Sequence, residues 1–152
     1  MTATVALLPG LGADARLFDA QRRVLPDLIV PPWIEPTDGE SLASFGGRLA
    51  ECLPVAEGSY VGGACFGGMV ALEVARHVRA KGVFLIGSCR HPAAVRCPRS
   101  LLAWVSRVLP TGVFRPRRWL RPFILFAFGL PPPPERDIFW SMALGASPRF
   151  LE

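Results

Sequence analysis

The sequence predicts an α/β fold with a mainly parallel sheet of about four strands flanked by helices, and three observations carry that prediction. Short, nearly continuous apolar runs alternate along the first ninety residues with stretches whose apolar positions recur at helical spacing. The joints between them are rich in glycine and proline, 15 and 16 respectively in 152 residues, so elements are short and loops frequent. Half of the chain is apolar (51%) and 19% is charged, the balance of a packed domain rather than of a disordered chain or a coiled coil.

The elements follow in order. Thr4 to Leu8 is an apolar run closed by Pro9-Gly10, as in a strand buried on both faces. Gly10-Leu11-Gly12 is a loop, and Asp14 caps a short amphipathic helix carrying Leu17, Phe18, Gln21 and Leu25 that ends near Pro26. Leu28 to Val30 is a second strand, cut by Pro31-Pro32. Ser41 caps a helix with Leu42, Phe45, Leu49 and Leu53 on one face, and Pro54 stops it. Ser59 to Val61 is the third strand, Met69 to Arg79 the next helix, and Val83 to Ile86 the fourth strand. Alternation of this kind requires crossovers and a parallel sheet, which places ligands beyond the carboxyl ends of the strands.

Between the third strand and its helix stands Gly63-Ala64-Cys65-Phe66-Gly67, a nucleophile flanked by glycines two positions before and two after. A residue on so sharp a turn has a strained backbone, and side chains at the glycine positions would collide with neighbouring elements. The strings LLPGLGADARLFD, YVGGACFGGMVALEVA and VFLIGSCRHP together resemble the α/β-hydrolase superfamily over roughly Val5 to Pro92. The resemblance implies that Cys65 is the nucleophile and that the backbone N–H groups of Leu11 and Phe66 form an oxyanion hole. The following helix adds its positive end, which favours negative charge developing there. Cysteine replaces the commoner serine, as in dienelactone hydrolases, and a thiolate needs less help from a base. The superfamily places its acid and then its histidine after later strands. His77 stands twelve positions along the helix, about 18 Å away at the usual rise, and is read as structural. His91 follows the fourth strand, where the superfamily does not carry its base.

From residue 93 the composition turns rich in Arg, Trp and Pro, and by position this segment resembles a helical cap. The expected division is therefore a partial hydrolase core over 1–92 and a cap over 93–152, with the fold truncated relative to the superfamily and an exposed parallel edge. In the cap, 101–109 and 119–130 read as helices, Pro131 to Pro134 as a stiff connector, and Asp137 to Leu144 as a last helix. No acid occurs between Glu73 and Glu135, while eleven basic residues do, all arginine except Lys81. Nucleic acid is not expected as a partner, and membrane-surface contact by 119–130 is the less favoured alternative to cap packing. Cys52, Cys65, Cys89 and Cys97 fit neither a disulfide framework nor a zinc pattern, so a reducing, cytoplasmic setting and no metal or cofactor are expected. The expected function is ester or thioester hydrolysis or acyl transfer by Cys65 on a small apolar substrate. The alternative is a non-catalytic protein of the same fold that binds an apolar ligand or partner.

Overall fold

A computed structural model describes residues 4–90 and 135–145. Among these residues three parallel strands, β1 (Val5–Leu8), β2 (Tyr60–Ala64) and β3 (Gly82–Ile86), lie in the order β1-β2-β3. Val5 pairs with Tyr60 and Tyr60 with Gly82, so the three strands run in step and their carboxyl ends share one edge. The helices are α1 (Asp19–Val24), α2 (Leu42–Cys52), α3 (Phe66–His77) and α4 (Glu135–Gly145).

The anticipated second strand is reduced to a single parallel bridge between Ile29 and Ala6 on the free side of β1. Its two bonds, Ile29 N–H to Val5 O and Leu7 N–H to Ile29 O, are both 2.9 Å long. Pro31 and Pro32 supply no N–H, so the ladder stops there. The first helix is also shorter than its apolar spacing suggests. Asp14 caps a 3-10 turn over Ala15–Phe18, accepting from Arg16 N, and α1 follows with no buried residue. Phe18, buried, anchors the pair with half-buried Leu17 beside it, while Leu25 faces solvent.

The core has a layer on each side of the sheet. Leu8 and Val61 pack with Phe45, Leu49 and Leu53 of α2 and with Val70, Ala71 and Val74 of α3. Leu7 packs with Phe18 and Leu28 on the opposite face. Consecutive strand residues feed opposite layers, as the pleat requires. Ser41 caps α2 by accepting from Ser44 N at 3.1 Å. Helices α2 and α3 touch closely at Gly46, where an added Cβ would lie 2.5 Å from Glu73 Cβ. Strand β3 is open, with Val83, Phe84, Leu85 and Ile86 37–48% exposed.

Helix α4 coincides with the last expected helix and docks on the loop after β1, with Met142 buried and Arg16 Nη1 donating to Ser141 Oγ at 2.8 Å. The core–cap boundary near residue 92, the expected helices at 101–109 and 119–130, His91 and Cys97 lie outside the described residues.

Candidate active site

At the carboxyl edge of the sheet the chain leaves β2 and enters α3 within one residue. That residue is Cys65, whose φ of 51° and ψ of −118° belong to a region where side chains are strained. Its N–H still bonds Ile86 O at 2.9 Å, continuing the β2–β3 ladder, while its carbonyl accepts from Gly68 N at 3.1 Å, opening α3. The helix therefore starts at Phe66, three residues earlier than its apolar pattern indicates, directly after the sulfur. Cys65 is free and exposed.

Backbone crowding explains the glycines. A Cβ on Gly63 would strike the carbonyl group of Gly67, and one on Gly67 would strike the carbonyl oxygens of Pro9 and Leu8. One on Gly68 would meet the Ser88 side chain. The turn is thus seated directly on the end of β1, and only hydrogen fits at the contact.

The loop after β1 reaches the same place. Ala13 N–H donates to Gly10 O at 3.0 Å, and Gly12 has a φ of 73°, so Gly10 to Ala13 form a turn whose third residue must accept positive φ. A Cβ built on Gly10 would lie 3.6 Å from Cys65 Cβ, which puts this turn against the cysteine. Leu11 is 40% exposed at the turn's tip. Among the described residues neither Leu11 N–H nor Phe66 N–H has a protein acceptor. Cys65, Leu11 and Phe66 therefore come from segments that the fold brings together.

Ser88 escaped the sequence reading. Its Oγ donates to Cys65 O at 2.6 Å from the loop after β3. Its signal was positional: it follows a strand at the same edge, two residues past Ile86 and next to Gly87, whose φ is 54°. Cys89 Sγ lies 3.6 Å from Met69 Sδ, a contact between the same loop and α3.

His77 is the only histidine among the described residues. It sits at the far end of α3, exposed, with its ring 3.2 Å from the position of a Gly47 Cβ. The structure does not bring it to Cys65.

Beside the cysteine lies a cavity of about 420 Å³, walled by the loops after β1 and after the Ile29 bridge and by α4. Cys65 does not line it, although Pro9 and Gly12, neighbours of Gly10, do. Trp33 lines it too, with its ring 5.7 Å from Phe66 and 6.0 Å from Phe45. The loops around the cavity are fixed by ion pairs. The Arg16 guanidinium, 2.6 Å away, holds the Asp14 carboxyl below its ordinary range. Arg48 and the Thr37 N–H bind Glu40 and bring its pKa down to about 2.

No family model and no curated protein sequence matches this chain. Solved structures do resemble it, two of them a hydrolase and a thioesterase domain. One is an extracellular α/β-hydrolase from a Paenibacillus species, described as sharing structural and functional homology with tobacco salicylic acid binding protein 2. It matches with a TM-score of 0.53 and 18% identity over 75% of this chain and 58% of its own. The other is the NocB thioesterase domain, solved as a covalent complex with a fluorophosphonate nocardicin G analogue. It matches with a TM-score of 0.50 and 24% identity over 95% of this chain and 62% of its own. The chain thus has an α/β-hydrolase-like fold and spans about three fifths of the length of these structures.

Proposed function

We propose that the chain carries an acyl-transfer centre in which Cys65 is the nucleophile of an ester or thioester hydrolase. The carrying observation is the Cys65 backbone, held at φ 51° and ψ −118° between a strand and a helix by glycines that admit no side chain. A strained turn of this kind persists only where the surroundings enforce it, and such strain concentrates at functional sites. The two similar structures, a hydrolase and a thioesterase domain, agree with the reading.

In this reading the Cys65 thiolate attacks the substrate carbonyl carbon and the carbonyl electron pair moves to oxygen. The resulting oxyanion is met by the N–H groups of Leu11 and Phe66, with the α3 dipole behind the latter. Collapse expels the alkoxide or thiolate, which takes a proton from solvent, and leaves an acyl thioester on Cys65. Water then attacks that thioester and yields a proton to solvent, which releases the acid and restores the thiolate. His77 has no part in it, and Glu135–Gly145 is read as part of the cap.

The test is acylation of the protein by a p-nitrophenyl ester, followed by mass spectrometry. One acyl group on Cys65, lost together with turnover in Cys65→Ala, is expected; turnover that survives the substitution rejects the nucleophile. A second reading, a non-catalytic protein that binds an apolar ligand, is favoured by the cavity's wall, which omits Cys65. It predicts ligand binding with no acylation.

A further inference from the structure

We propose that the cavity beside Cys65 binds the uncharged, apolar end of a small molecule and discriminates against anions. The identification of that molecule as the acyl or alcohol part of a substrate rests on the Cys65 reading; the binding does not.

Size comes first. About 420 Å³ falls within the roughly 300–1,000 Å³ typical of small-molecule sites. The wall is chiefly apolar, with Pro9, Ala13, Val30, Pro32, Trp33 and Met142 contributing. It is also preformed. Two consecutive prolines fix the backbone on one side, and the Trp33 ring is wedged against Phe45 and Phe66. A rigid apolar wall loses little freedom when a ligand enters.

Charge supplies the selectivity. The wall's ionisable side chains are Asp14 and Glu35, both carboxylates, and among the described residues no lysine, arginine or histidine lines it. Arg16 neutralises Asp14 from outside the wall and reaches on to Ser141, so its guanidinium fastens α4 over the cavity. An anion entering would shed water without meeting a counter-charge from these side chains, whereas a neutral ring sheds only apolar hydration.

Position ties the cavity to the cysteine. Pro9 and Gly12 line it while Gly10, between them, abuts Cys65, so a single turn of backbone separates the two. A ligand whose ring fills the cavity would carry its substituent toward the turn that abuts Cys65.

The experiment uses the full chain carrying Cys65→Ala, so that no chemistry intervenes, and follows amide chemical shifts during titration with benzyl alcohol and with benzoate. Saturable shifts at Gly12, Ala13, Ala15 and Trp33 with benzyl alcohol are expected, with benzoate binding about tenfold weaker or less. Ala15→Phe fills the cavity and abolishes those shifts. Should that variant fail to fold, Gly145→Leu repeats the test from α4, where a Cβ meets nothing within 4 Å. Equal binding of benzoate, shifts clustered elsewhere, no saturable shifts, or binding undiminished in the filled variants would each overturn the proposal. Acylation of the unsubstituted protein is measured separately, so binding without acylation removes only the nucleophile, and acylation without binding removes only the cavity.

Discussion

At the residue scale, Cys65 shows stability and chemistry in opposition. Its φ of 51° suits glycine, and strain of this kind costs about 1–3 kcal/mol, partly offset in a glycine variant by the freer unfolded chain. Cys65→Gly is therefore expected to raise stability by about 1 kcal/mol in urea unfolding while losing all acylation. Arg79 poses the same question without chemistry. It follows α3 with a φ of 48°, and Ala80 N–H bonds Ala75 O at 3.0 Å, the closing pattern of a helix that favours glycine at this position. Its ion pair with Glu57, 3.7 Å long and exposed on both sides, adds little. Arg79→Gly should stabilise by about 0.5 kcal/mol, read from the urea midpoint with an unchanged slope. The cysteine and its glycines were legible in the sequence because a turn that tight leaves a fixed spacing of small residues. Ser88 was not, since a serine after a strand has no pattern until the neighbouring carbonyl it bonds is placed in space.

At the scale of elements, capping and packing were legible and lengths were not. Ser41 and Phe45, Leu49 and Leu53 announce α2 with its cap and buried face, because spacing along one helix is a local property. Leu28 to Val30 has the composition of a strand but pairs at Ile29 alone, since pairing needs donors that Pro31 and Pro32 lack. The approach to α2 depends on Glu40, whose pKa falls from an ordinary 4.5 to about 2 under Arg48 and the Thr37 N–H. A carboxylate depressed by folding contributes stability that is full above pH 4.5 and is lost as pH falls through about 2. Unfolding free energy measured across that window should decline in the parent, and Glu40→Gln should flatten the decline while lowering stability at neutral pH.

At the scale of the molecule, the sheet is well buried at β1 and β2 and open at β3. Ala6, Leu8 and Val61 are fully buried, whereas the four apolar residues of β3 are 37–48% exposed. Alternation of elements showed the parallel order, yet nothing in the composition of Val83 to Ile86 distinguishes an open strand from a covered one. Exposed strands of this character template association between chains. Leu85→Lys is expected to suppress concentration-dependent association in sedimentation, with a change in stability within about 0.5 kcal/mol. Among the described residues no helix is long and apolar enough to cross a membrane. The seating of Gly67 on the carbonyls of Leu8 and Pro9 works here as a mechanical stop. Because backbone meets backbone, the gap between the Leu11 turn and the head of α3 is set by atomic radii and not by rotamers that hop with temperature. Warming should therefore leave the spacing of these two segments unchanged until the sheet itself gives way, and the Cys65 amide, bonded to Ile86 O, should keep its protection from hydrogen exchange to the same point.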